Sequence, residues 1–194
     1  QAVVIKPENS TIVTPELARA HRLRGEQYFD DHRFLNAVVD FKMALELDKT
    51  VAPLVKDAYS LAHYELALQG LENNRLDDAI NHFDHALEVD PAMVVALVGR
   101  GNCHFQMGTL DRAHADFTAA ITMKPADPVV HARALLGRAE AGMSLDNPDA
   151  AIDDLTTVLD LRPRPADSQL LAQCHRTRGY VLVARDNRTV EDLE

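Results

Sequence analysis

Small and large apolar residues recur along the chain in one figure. An alanine is followed four residues later by a large apolar residue, and three residues after that by a small one. Ala79, Phe83 and Ala86 make the figure, and Ala113, Phe117 and Ala120 repeat it. Positions spaced by four and three share one face of a helix, so each copy predicts an amphipathic helix with its apolar stripe toward a neighbour. Pro91 and Pro125 follow the two copies and stop each helix. All four positions recur after 34 residues. The figure returns as Ala37, Phe41 and Ala44, and as Ala151, Leu155 and Val158 closed by Pro163. Successive copies are 42, 34 and 38 residues apart.

A second helical segment precedes each copy and carries its own small residue: Gly25, Ala67, Gly101 and Ala139. A fifth such segment carries Gly179. All 8 glycines fall in these first helices or in the turn after them. Glycine costs about 1 kcal/mol in a helix interior relative to alanine. Tight helix–helix contact is the expected reason for placing it there. The unit is therefore a helix pair, and repetition at a fixed period marks a repeat architecture.

On these residues the sequence resembles the tetratricopeptide repeat family, whose unit is a 34-residue antiparallel helix pair with small residues in both helices and a closing proline. The third unit matches best, with Leu97, Gly101, Gly108, Ala113, Phe117, Ala120 and Pro125. The second follows with Leu66, Ala67, Leu76, Ala79, Phe83, Ala86 and Pro91. The first keeps Gly25, Tyr28, Phe34, Ala37, Phe41 and Ala44 but has Lys49 for the proline. The fourth has Leu155 and Val158 for the aromatic and the small residue. The resemblance implies an all-α, right-handed superhelical solenoid. Its units span about 15–51, 52–93, 94–127 and 128–165, with a final helix in 166–194 after an arm over 1–14.

The two long spacings predict added helical turns, on helices starting near Pro53 and Pro128, with Asp127 as an N-cap. At about 1.5 Å per residue they would project about 12 Å and about 6 Å. A longer loop is the alternative. The first helix is expected to start at Pro15, with Thr14 as cap. The arm before it carries Val3, Val4, Ile5, Ile12 and Val13, interrupted by Pro7, and is expected to pack on the array, in its own groove or a neighbour's. The last helix, roughly Ser168 to Ala184, ends the chain in mid-unit, as a piece cut from a longer protein would.

Charge and composition narrow the chemistry. The 194 residues include 20 Lys+Arg against 30 Asp+Glu, a formal net charge of −10. Such a chain neutralises phosphates poorly, which argues against nucleic acid as a partner. No run approaches the 18 apolar residues of a membrane span, so direct membrane insertion is not expected. Cys103 and Cys174 match no metal or redox spacing and read as small helix residues. There is no phosphate-binding glycine loop and no nucleophile elbow. The carboxylates read as spread over helix surfaces. No enzyme activity and no cofactor are expected. His82 and His85, three apart with Asp84 between them, could offer two imidazoles to one metal ion. The reading preferred for them is a solvated outer face with no metal. His63, His104 and His175 read as packing or surface residues.

The resemblance further implies that the first helices line a concave groove for a partner's extended or helical segment. The inward positions lie three before, one after and four after the small residue. In the first unit they are Arg22, Glu26 and Phe29, and in the second Tyr64, Leu68 and Leu71. The third gives Val98, Asn102 and Phe105, and the fourth Leu136, Glu140 and Met143. The fifth gives Arg176, Tyr180 and Val183. Arg19 and Arg133 stand one turn further out. The expected surface is an apolar strip with charged ends, and Asn102 suits a ligand backbone. A subclass of the family clamps a terminal carboxylate with a Lys and an Asn four residues later. Here Val98 stands for the Lys, and Glu26 and Glu65 would repel a carboxylate, so that activity is disfavoured. The expected function is a non-catalytic scaffold or adaptor with a protein or peptide ligand. The alternative is a structural subunit that forms a homo-oligomer by end-to-end stacking or arm exchange.

Overall fold

The computed structural model describes residues 7–162 and 165–191, with side chains from 14 to 162 and from 165 to 186. Among these residues there are nine α-helices and one 3-10 turn, Lys49–Val51. The helices are α1 (Pro7–Asp30), α2 (Phe34–Leu47), α3 (Ala52–Glu72), α4 (Leu76–Val89), α5 (Val94–Gln106), α6 (Leu110–Thr122), α7 (Pro128–Ser144), α8 (Pro148–Asp160) and α9 (Ser168–Glu191). None is long and apolar enough to cross a membrane. The chain divides into two compact units, Gln1–Pro91 and Ala92–Glu194.

Both units follow one packing scheme. In the first, α1 packs on α2 and α3 on α4, while α3 also meets α2 and α1. In the second, α5 packs on α6 and α7 on α8, and α7 also meets α6 and α5. Helix α9 then meets α8 and α7. Within the units the incoming helices α3, α7 and α9 thus each lie on both helices of the pair before them, which is how the helix pairs of an all-α repeat array stack.

The same turn closes all four pairs. His32, Asn74, Gly108 and Asp146 each adopt positive φ, between 55° and 73°. Two backbone bonds flank the turn each time, as in Arg33 N–H to Tyr28 O at 2.8 Å and His32 N–H to Phe29 O at 3.0 Å. This is the Schellman arrangement, which satisfies carbonyls at the end of the first helix. Only one pair uses glycine at the left-handed position. At the other three the turn carries a side chain at a cost of about 1–2 kcal/mol relative to glycine.

The extra residues become helix. Helix α5 has 13 residues, whereas α3 has 21 and α7 has 17. The surplus of eight and four equals the surplus in repeat spacing. Asp127 caps α7, accepting the Val129 N–H at 2.8 Å.

Phe41, Phe83, Phe117 and Leu155 are fully buried at equivalent positions, ringed by Ala37, Ala44, Ala79, Ala86, Ala113, Ala120 and Ala151. Small first-helix residues admit these side chains. A Cβ on Gly101 would lie 2.9 Å from the Phe117 ring, and one on Gly137 would overlap the same ring. Phe117 therefore fastens α6 to α5 and to α7 at once.

Three expectations are corrected. Helix α1 does not start at Pro15: it runs from Pro7, with Pro15 inside it and Thr14 not a cap. Val3, Val4 and Ile5 lie outside the described residues, as do the side chains of Ile12 and Val13. Packing does not explain every glycine. Gly108 serves the turn, Gly142 is only in ordinary contact, and a Cβ on Gly179 would meet nothing within 4 Å. Finally, not all carboxylates are on the surface: Asp40, Asp116 and Asp154 are buried. Each receives two hydrogen bonds from an arginine 16 residues earlier. Arg24 donates to Asp40 at 2.6 and 2.7 Å, Arg100 to Asp116 at 2.9 and 2.6 Å, and Arg138 to Asp154 at 2.8 and 2.6 Å.

Candidate functional site

A recess of the second unit lies among α5, α7 and α9. Its volume is about 350 Å³. Asn102 comes from α5. Arg133, Leu136, Gly137 and Glu140 come from α7, whose buried stripe of alanines, leucines and glycines holds the helix close to its neighbours. Asp167, Gln169, Leu170 and Gln173 come from the start of α9. Asp167 fixes that start by accepting the Leu170 N–H at 2.9 Å. Its other carboxylate oxygen faces Arg133 at 3.4 Å. The hydrogen bond from Leu170 and the Arg133 guanidinium hold the Asp167 carboxyl below the usual range. Deeper in the recess, Gln173 Nε2 donates to Glu140 Oε1 at 3.0 Å. Burial pushes the Glu140 carboxyl up despite that bond.

Four sequence-selected residues, Asn102, Arg133, Leu136 and Glu140, are thus brought to one recess. Its character differs from the expected apolar strip. Val98 and Leu136 are buried, and Met143 packs on the core of α7, α8 and α9. The accessible groups around the recess are mainly amides and charges. Phe105 is half-buried outside it. On α9 the buried positions are Leu170, Cys174 and Val181. Gly179 lies off that face, and Arg176, Tyr180 and Val183, counted from it, are exposed and outside the recess. Gly137, Asp167, Gln169, Leu170 and Gln173 are the lining residues the repeat register missed. Helix α9 begins at Ser168, where the sequence places it, and it is only the register counted from Gly179 that misses the recess.

In the first unit Arg22 is tied to Glu26 one turn along α1. Tyr64 stacks obliquely on Phe83, with ring centroids 5.9 Å apart. Leu68 and Leu71 are half-buried. A second recess of about 370 Å³ lies at the α1–α2 turn, lined by Phe29, Asp30, His32, Phe34 and Glu65. Arg19 is exposed.

His82 and His85 make different contacts: His85 Nδ1 lies 3.1 Å from Glu88 Oε2. His82 Nδ1 meets Nδ1 of the buried His63 at 3.2 Å. Among the described residues no three His, Cys, Asp or Glu side chains are grouped so as to hold a metal ion. Burial pushes the thiols of Cys103 and Cys174 up to about 11. Neither is a ready thiolate near neutral pH.

A family model described as tetratricopeptide repeat matches residues 56–128. Tetratricopeptide repeat protein 13 of Homo sapiens is 30% identical over 122 residues, which are 60% of this chain and 13% of that protein. The chain spans less than a third of each curated relative it matches. Among solved structures, the MamA RS-1 ArsTM double mutant superposes with a TM-score of 0.58 at 18% identity, over 89% of this chain and 86% of that one. The first TPR of Spaghetti (RPAP3), bound to the HSP90 peptide SRMEEVD, gives 0.54 at 19% identity, over 63% of this chain and 95% of that one. At these identities the likeness is one of fold.

Proposed function

Because this chain is a tetratricopeptide repeat protein, we propose that it is a non-catalytic scaffold or adaptor. It holds a segment of a partner protein against its first helices. The observation that carries this reading is the recess among α5, α7 and α9, which gathers inward-facing positions of successive first helices into one concave, mainly polar site. Its convergent side-chain amides and charges supply donors and acceptors for a partner's backbone and polar side chains. The peptide-bound structure of the same fold supports a peptide as the ligand class.

The test is peptide display on the immobilised chain, followed by titration of the selected peptides into the isotope-labelled protein. Shifts are expected on α5, α7 and α9, and Asn102→Arg, at an exposed lining position, is expected to weaken binding at least tenfold. Peptides that perturb only α6 and α8, indifferent to Asn102→Arg, would overturn the reading.

A second reading, self-assembly, is favoured by one feature. Leu35, Val39 and Met43 are exposed at spacings of four on one face of α2. Such a stripe suits contact with a second copy. Light scattering across concentration separates the two: a monomer stable to concentration sinks self-assembly and leaves the scaffold reading intact.

A further inference from the structure

Glu140 is the most informative group of the recess among α5, α7 and α9. It follows the packing residue Ala139, as Glu26 follows Gly25. The two carboxylates differ in what balances them. Glu26 has Arg22 four residues earlier on its own helix. Four residues before Glu140 stands Leu136, buried and apolar. The nearby cation of the recess, Arg133, faces Asp167 at 3.4 Å. Among the described residues Glu140 has no ion-pair partner, only the neutral amide of Gln173 at 3.0 Å.

We propose that this recess takes a cationic side chain, Lys or Arg, from the partner segment, with Glu140 as its counter-ion. The inference rests on the scaffold reading above and names what that site selects. Three features support a cation. The recess carries two carboxylates, Glu140 and Asp167, against one guanidinium, Arg133. A half-buried carboxylate without a cation gains most from one supplied by a ligand, because partial exclusion of water strengthens the attraction. The amide of Asn102, at the same rim, adds an acceptor for a guanidinium or ammonium N–H. The raised proton affinity of Glu140 has the same origin: burial disfavours its charge while no cation offsets it. A carboxylate ligand would meet Glu140 and be repelled.

The probes are N-acetyl-arginine methylamide, its neutral isostere N-acetyl-citrulline methylamide, and N-acetyl-glutamate methylamide. Each is titrated into the full chain with the side-chain amides of Asn102, Gln169 and Gln173 observed by NMR. The arginine probe is expected to shift these amides saturably and at least tenfold more tightly than citrulline, with the preference weakening as salt rises. Glu140→Gln keeps the shape and a hydrogen bond to Gln173, and is expected to erase the preference while the helical circular dichroism stays unchanged. Equal binding of arginine and citrulline, or tighter binding of the glutamate probe, overturns the proposal. So does a preference that survives Glu140→Gln. Display-selected peptides that bind on α5, α7 and α9 without enrichment in Lys or Arg would defeat this inference and leave the scaffold reading standing. Peptides that bind elsewhere would defeat the scaffold reading.

Discussion

The pairs α1–α2 and α3–α4 share a turn, a buried phenylalanine and a helix register, yet their polar joints are of opposite kinds. In α1–α2 the joint is ionic. Asp40 is 2% exposed and accepts from both Arg24 and His21, the latter at 2.8 Å. Those donors hold its carboxyl below the usual range. In α3–α4 the three equivalent positions, each 42 residues on, hold Leu66, His63 and His82. The arginine has become apolar and the aspartate an imidazole. What remains is the His63–His82 contact, Nδ1 to Nδ1 at 3.2 Å. His63 Nε2 is buried without a partner. A bare lone pair there costs less than an unsatisfied N–H, so the favoured tautomer has His63 Nδ1–H donating to His82 Nδ1. Adding a proton to the His82 acceptor would set two N–H groups face to face. One joint needs its charges and the other needs to have none.

The largest expected effect breaks an ionic joint. Asp154→Ala leaves the Arg138 guanidinium, 25% exposed, without its two hydrogen bonds from the α7–α8 joint. A loss of about 3 kcal/mol is expected, because a half-buried charge loses the carboxylate that compensates it. His82→Ala, which removes one neutral bond, is expected to cost about 1–2 kcal/mol. Urea unfolding of both variants at pH 7 checks the order, and equal losses would deny that charge distinguishes the joints.

The next effect is in pH. Burial, then the neighbouring His85 and His82, push His63 from 6.5 down to about 4. Burial also lowers His82, with His85 and Arg75 adding to it and Asp78 opposing. Tyr59 faces His63 from the same helix, with ring centroids 4.9 Å apart. The unfolded chain takes up a proton at His63 near pH 6.5 and the folded chain only near 4. Stability from this joint is therefore full above 6.5 and falls as pH drops toward 4. Between pH 7 and pH 5 a loss of about 1 kcal/mol is expected after solvent screening. Asp40 acts lower: its contribution is present above 3.8 and lost as pH falls further through its depressed value. Urea midpoints at pH 7, 5 and 3.5 read the two windows separately. A flat profile from 7 to 5 would deny the neutral joint.

Much of this was legible before the structure. The 34-residue period and the equivalence of Phe41, Phe83 and Phe117 follow from spacing alone, because a helix face is a matter of position. The long spacings allowed a loop as well as the extra helical turns that Pro53 and Pro128 suggested. The ionic joints were also written in the sequence. Arginine precedes the small residue and aspartate the large apolar one in three pairs, always 16 residues apart. A hydrophobicity pattern sends charges outward and passes over them, since it does not ask whether two charges satisfy each other. The recess was half legible. Asn102, Arg133, Leu136 and Glu140 sit at repeat positions, whereas Gln169 and Gln173 depend on how α9 begins. Gly179 misdirected that register because among the described residues nothing lies within 4 Å of where its Cβ would be.

The smallest effect in magnitude is the sharpest in sign. Leu66→Arg with His82→Asp rebuilds in α3–α4 the set found in α1–α2, where Arg24, Asp40 and His21 stand together. At pH 7 the change in stability is expected to stay within about 1 kcal/mol, because the desolvation of a new half-buried pair offsets much of its attraction. Its pH dependence is expected to invert. His63 now faces a carboxylate, which favours the imidazolium and raises the proton affinity of His63 in the folded state. A group raised on folding contributes stability that is present below its unfolded value near 6.5 and is lost as pH rises. The double variant should therefore hold or gain stability from pH 7 to pH 5, where the parent loses it. Each single substitution lacks one half of the pair: Leu66→Arg alone brings a cation beside His63, and the fall with acid should steepen. If the double variant still loses stability like the parent, the acid sensitivity does not come from the His63–His82 contact, and His85 becomes the group to test.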